Sequence, residues 1–93
     1  MGVTEQGDPK QAERKKRFLL VVDGNQRDLF TTGMLLQNFG YTVYTLHTGK
    51  EALEFLEVAV PALVILDIAL SGTNGLELLR QIRKTPRTAG IPV

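Results

Sequence analysis

Three short apolar runs alternate with three amphipathic segments along residues 18–93. The runs are Phe18–Val22, Tyr41–Leu46 and Ala62–Leu66, and they are rich in aliphatic, β-branched or aromatic side chains. Runs of this length and composition predict strands, the first and third buried on both faces. The segments between them repeat apolar residues every three or four positions, which predicts helices.

The ends of the predicted helices carry recognisable cap residues. Asn25 is a favourable N-cap for the first helix, and Gly40 stands where a left-handed residue ends it. Thr48 and Glu51 have the spacing of a capping box at the start of the second helix. The helices are therefore predicted over residues Gln26–Phe39, from Thr48 to about Val58, and over Asn74–Lys84.

The order of the elements predicts an α/β domain with a parallel sheet, right-handed crossovers and helices on both faces. Ile91–Val93 is predicted to begin a fourth strand. The helix residues predicted to face the core are Leu29, Phe30, Gly33, Met34 and Leu36 in the first helix, Ala52, Leu53, Leu56 and Ala59 in the second, and Leu76, Leu79 and Ile82 in the third.

Two of the predicted strands end directly on an aspartate, Asp23 and Asp67. Burying an unpaired carboxylate is costly, so both acids belong at the carboxyl edge of the sheet, where open α/β sheets bind ligands. If the strands are adjacent, the two acids lie together, and neighbouring carboxylates favour a bound cation such as Mg²⁺. An aspartate in this position can also form an aspartyl phosphate. On spacing alone, the alternative that both acids are solvated strand ends stays open.

Composition and charge narrow the possible functions. Residues 18–93 carry six basic and seven acidic side chains, so this part of the chain lacks the excess of positive charge that is typical of nucleic-acid-binding proteins. The absence of cysteine excludes disulfides and thiolate metal sites. No apolar run approaches the roughly 20 residues of a membrane helix. We expect a cytoplasmic protein in which residues 1–17, with a net charge of +2, form a mobile basic leader.

Six segments of the chain resemble the receiver domain of two-component response regulators. They are Phe18–Asn25 (FLLVVDGN), Gly40–Val43, Gly49–Leu53, Pro61–Asp67 (PALVILD), Gly75–Arg83 (GLELLRQIR) and Pro86–Val93. The motifs occur in the order and at the spacing of that family. The resemblance implies a flavodoxin-like (CheY-like) parallel sheet with flanking helices over residues 18–93, incomplete at its C-terminus.

The same resemblance assigns roles to residues at the sheet edge. Asp67 resembles the phosphoacceptor, Asp23 resembles an acid of the Mg²⁺ site, and Ala69 supplies its backbone carbonyl to the metal. The domain is then expected to act as a signalling module that at most catalyses its own phosphorylation. Its donor is expected to be a histidine kinase, a histidine phosphotransfer protein or a small phosphodonor.

Three departures from the family pattern qualify this expectation. Gly24 replaces the second acid of the usual pair, which predicts weaker Mg²⁺ binding. The loop 70–75 retains only its final glycine, and the family's later strands and helices have no counterpart up to Val93. The strand ending at Asp67 is thus expected to lie at an incomplete sheet edge that favours self-association. A degenerate receiver that binds partners without phosphorylation is the alternative function.

Overall fold

The computed structural model describes residues 17–70 and 74–93. In chain order the elements are β1 (Phe18–Val22), α1 (Gln26–Asn38), β2 (Thr42–Leu46), α2 (Gly49–Leu56), β3 (Leu63–Leu66) and α3 (Gly75–Lys84). The strands and helices predicted from Phe18 to Lys84 are confirmed, with ends that differ by one or two residues. The predicted leader lies outside the described residues except for Arg17. No helix within the described ranges is long and apolar enough to cross a membrane.

The strands form a parallel sheet in the order β2-β1-β3. Leu20 in β1 is opposite Tyr44 in β2 and Val64 in β3. Since β1 lies in the centre, its residues Leu20 and Val22 are completely buried. This arrangement confirms the flavodoxin-like fold, with α1 packed on β2 and β1.

The main core lies between the sheet, α2 and α3. Its buried residues are Leu20, Val22, Ala52, Leu56, Val64, Leu78, Ile82 and Ile91. The aromatic rings of Phe18, Tyr44 and Phe55 pack together at the outer side of this layer. The centroid of the Tyr44 ring is 5.3 Å from the ring centroids of Phe18 and Phe55. The opposite face of the sheet carries α1, where Leu29 and Gly33 are buried.

The predicted inward faces of two helices are partly wrong. In α3, Leu78 rather than Leu76 is buried; Leu76 is 55% exposed. Because leucine occurs at positions 76, 78 and 79, the sequence allows more than one apolar stripe. The stripe through Gly75, Leu78 and Ile82 is the one buried in the structure. In α1, Phe30 and Met34 point outward, because the helix packs closely through Leu29 and Gly33.

The predicted fourth strand makes a single sheet contact. The N–H of Val64 donates to the carbonyl of Pro92 at 2.9 Å, but Ile91–Val93 does not form a strand. The guanidinium of Arg83 donates to the carbonyls of Ala89 and Ile91, and these two bonds hold the segment against the core. β3 is therefore the second edge of the described sheet.

A capping box closes the N-terminus of α2, as predicted. The N–H of Glu51 donates to Thr48 Oγ1 at 3.1 Å, and the N–H of His47 donates to Glu51 Oε1 at 3.3 Å. This backbone bond, with a smaller contribution from the nearby His47 ring, lowers the pKa of the Glu51 carboxyl below its ordinary value. The described contacts of His47 are thus those of a helix cap.

We expect Glu51→Gln to lower the melting temperature slightly at neutral pH and not at acidic pH. Because the pKa of Glu51 is lowered on folding, its carboxylate stabilises the fold above about pH 4.3 and ceases to do so as the pH falls through the lowered value. Thermal unfolding followed by circular dichroism from about pH 3 to pH 7 measures this. Glu54→Gln, on the same helix, is the control. A difference that persists at the acidic end contradicts the electrostatic cap.

Candidate functional site

Asp23 and Asp67 follow the last paired residues of adjacent strands. Val22 is opposite Leu66 in the register of β1 and β3. The N–H of Asp67 donates to the carbonyl of Val22 at 2.9 Å, and the N–H of Asp23 donates to the carbonyl of Leu46 at 3.1 Å. The sheet therefore brings the two acids to neighbouring positions on its carboxyl edge.

Each of the two carboxylates accepts a hydrogen bond from the backbone two residues later. Asn25 N–H donates to Asp23 Oδ1 at 2.9 Å, and Ala69 N–H donates to Asp67 Oδ1 at 3.2 Å. Both side chains are half-buried. These hydrogen bonds hold each acid through its Oδ1 atom.

The backbone after Asp67 is fixed by close packing against the start of α3. Ala69 and Asn74 form an isolated antiparallel bridge, and the N–H of Gly75 donates to the carbonyl of Ile68 at 2.8 Å. A Cβ atom on Gly75 would collide with the carbonyl oxygen of Asp67 and would lie 2.7 Å from Ile68 Cα. Gly75 therefore sets the path of the chain directly after Asp67.

The sequence alone identifies Gly75 as the glycine that ends loop 70–75 and assigns it no packing role. Its structural role depends on α3 approaching the end of β3, a contact that no local pattern in the sequence encodes. Asn74 is the N-cap of α3: its Oδ1 accepts from the N–H of Leu76 at 2.7 Å. Residues 71–73, between this cap and Leu70, lie outside the described residues.

The donors present suit a hard cation. The carboxylates of Asp23 and Asp67 and the backbone carbonyl of Ala69 offer oxygen atoms, and Mg²⁺ binds few protein oxygens while keeping several waters. No cluster of three or more His, Cys, Asp or Glu residues able to hold a metal occurs in the described parts of the chain. Gly24 stands beside Asp23 without a side chain. The site is thus a minimal one with two acids.

Comparison with known families and proteins identifies related sequences. A family model described as the response regulator receiver domain matches residues 19–93. The CAI-1 autoinducer sensor kinase/phosphatase CqsS of Vibrio cholerae is 39% identical over 77 residues, which is 83% of this chain and 11% of that protein. The chain therefore spans only a small part of this relative.

Solved structures resemble this one as well. The N-terminal domain of a response regulator receiver protein from Methanoculleus marisnigri has a TM-score of 0.78 and 37% sequence identity. Response regulator TrrA from Thermotoga maritima, in complex with Mg²⁺-BeF, has a TM-score of 0.72 and 37% identity. The matches cover 82% and 76% of this chain, and 62% of each of those chains.

Proposed function

The chain belongs to the family of response regulator receiver domains, and from this premise we propose that Asp67 is its phosphoacceptor and that Asp23, Asp67 and the carbonyl of Ala69 hold Mg²⁺. Receiver domains are signalling domains rather than classical enzymes. One observation carries the proposal: the hydrogen bond from Asp67 N–H to the Val22 carbonyl places the two acids on adjacent strand ends. The Mg²⁺-BeF complex of the Thermotoga relative supports the choice of metal.

In the proposed reaction, a carboxylate oxygen of Asp67 attacks the phosphorus of a phosphohistidine or of acetyl phosphate. The new O–P bond forms an acyl phosphate, while the P–N or P–O bond to the donor breaks and its electron pair leaves with the imidazole or acetate. The Ala69 N–H holds Oδ1 of Asp67, which leaves Oδ2 as the attacking atom. When bound, Mg²⁺ would neutralise part of the negative charge on the phosphoryl oxygens. Positioning and charge neutralisation account for most of the catalysis in such transfers.

We expect Mg²⁺ to bind weakly here. Gly24 contributes no carboxylate beside Asp23, so the site holds one negative charge fewer than a site with two adjacent acids. The amide of Asn25 does not replace that acid in the described structure, because its Oδ1 accepts from the N–H of Asp28 and caps α1. Water is then the remaining ligand for the open coordination position.

The proposed donor is a histidine kinase or a histidine phosphotransfer protein. This rests on the similarity to the Vibrio sensor kinase and to the receiver domain of a histidine kinase from Syntrophus aciditrophicus. We also propose that the chain is cytoplasmic and that this domain binds neither nucleic acid nor a membrane. Association through the β3 edge stays a prediction.

The proposal is tested by incubating the 93-residue chain with Mg²⁺ and acetyl phosphate and measuring its intact mass. We expect one phosphoryl group per chain, removed by hydroxylamine as an acyl phosphate is. Asp67→Asn is expected to abolish the adduct, while Asp28→Asn, an exposed acid on α1, is the matched control and keeps it.

Two results would contradict the assignment of Asp67. The first is the absence of any adduct on the wild-type chain, which would favour the degenerate receiver. The second is an equal yield from Asp67→Asn, which would place the phosphoryl group elsewhere. A normal circular dichroism spectrum for each variant excludes unfolding as the cause.

A further inference from the structure

In the sheet formed by the described residues, β2 is an edge strand, and its sequence lacks the usual protection against pairing. No Asp, Glu, Lys, Arg or Pro occurs in residues 41–48, and Tyr44 and Thr45 are exposed. Natural edge strands are commonly blunted by charges, prolines or bulges, because their free backbone groups accept another strand. This edge therefore has both the composition and the exposure of a pairing surface.

The register of β2 determines which of its backbone groups face outward. The carbonyl of Leu46 accepts from Asp23 N–H, so Leu46 directs its polar groups toward β1. Alternate residues of a strand direct their backbone groups to opposite sides. Val43 and Thr45 consequently direct theirs to the open edge, on either side of Tyr44.

An apolar flank of α1 lies above this edge. Phe30 and Met34 each follow a buried residue of α1, Leu29 and Gly33, and so project about 100° around the helix from the buried stripe. In a right-handed crossover that flank faces the outer side of β2. Phe30 is 67% exposed and Met34 is 46% exposed, although both are apolar. The exposed flank and the unprotected edge are thus neighbours.

We propose that two copies of this chain associate through antiparallel pairing of their β2 strands about a two-fold axis at Tyr44. Val43 of one copy then exchanges backbone hydrogen bonds with Thr45 of the partner subunit, which is the pairing their outward groups allow. Since α1 packs on β2 and β1, pairing of the two β2 strands brings the exposed flanks of the two α1 helices towards each other on the same face of the joined sheet. Phe30 and Met34 then form the contact between the two helices.

A second copy fits this surface better than a charged partner does. The strand is neutral from Tyr41 to Leu46, so two-fold pairing opposes no like charges and offers a charged peptide no counter-ion. Tyr44 extends the aromatic cluster with Phe18 and Phe55 into the partner across the axis. Both Asp67 sites stay open, because β3 lies at the opposite edge of each sheet.

The pairing is tested by disulfide trapping in a chain that has no cysteine of its own. At the two-fold axis the Cα atoms of a non-hydrogen-bonded pair are about 4.5 Å apart, within disulfide range. Tyr44→Cys is therefore expected to form a covalent dimer on mild oxidation. Tyr41→Cys, on the same edge, is the control: its two copies lie about 20 Å apart in this arrangement, so it stays monomeric on a denaturing gel.

Sedimentation velocity of cysteine-free variants provides a second measurement. We expect a wild-type dimer whose Kd is raised about tenfold or more by Phe30→Glu, a loss of at least ~1.4 kcal/mol. Leu35→Glu, an exposed leucine on the other flank of α1, is expected to leave Kd unchanged. The proposal is overturned by a monomer at all concentrations up to about 1 mM, by equal trapping of both cysteine variants, or by a dimer that Ile65→Lys on β3 dissociates and Phe30→Glu does not.

Discussion

Gly75→Ala is expected to destabilise the fold by about 3 kcal/mol and to abolish the phosphorylation of Asp67. The added Cβ collides with the carbonyl oxygen of Asp67 and with Ile68 Cα, which are backbone atoms that no side-chain rotation can move away. Either α3 retreats from the sheet and loses the burial of Leu78, or the chain after Asp67 shifts. The second outcome moves the carboxylate from its position beside Asp23, and the first breaks the hydrogen bond from Gly75 N–H to the Ile68 carbonyl that holds the chain after Asp67.

Urea unfolding and intact mass after acetyl phosphate measure the two effects. Gly90→Ala is the matched control, because a Cβ at that position meets no atom within 4 Å. We expect this control to change stability by less than about 1 kcal/mol and to keep full phosphorylation. If Gly75→Ala behaves like Gly90→Ala, the close approach between α3 and the end of β3 is not what positions Asp67.

Gly24→Asp is expected to raise the affinity for Mg²⁺ about tenfold or more, which is at least ~1.4 kcal/mol of binding free energy. A second carboxylate adds negative charge next to Asp23 and a further oxygen ligand. The backbone of Gly24 does not have a positive φ, unlike that of Gly40 at 94°, so aspartate fits the local conformation. The gain in charge is therefore not offset by backbone strain.

Titration with Mg²⁺, followed by calorimetry or by NMR shifts of the Asp67 region without any phosphodonor, gives the affinity directly. Gly24→Asn is the control, since it adds similar volume without a charge. Equal Kd values for Gly24→Asp and wild type would show that the ion does not contact this position. An equal gain from Gly24→Asn would assign the effect to shape rather than to charge.

Much of the fold was predictable because its determinants are local. Asn25 and Thr48 cap α1 and α2 as predicted, and Asn74 caps α3, since a cap depends on residues two or three positions apart. The strands were predictable from their continuous apolar runs. The neighbouring positions of Asp23 and Asp67 followed from one further assumption, that β1 and β3 are adjacent.

The wrong predictions concern the buried faces of α1 and α3, where more than one apolar stripe is compatible with the sequence. The sequence of α3 offers stripes through Leu76 or Leu78, and that of α1 includes Phe30 and Met34 among its spaced apolar residues. Packing chose between them, because Gly33 and Gly75 allow close contact along one stripe only. Local periodicity does not contain that information.

The sequence by itself determined the alternation of strands and helices, the helix caps and the placement of acids at strand ends, because each depends on a few consecutive residues. Only the tertiary structure decided which helix faces are buried, that Gly75 fixes the backbone after Asp67, and that the neutral edge of β2 lies beside Phe30 and Met34. These features join residues far apart in the chain, and close packing of the backbone selects them.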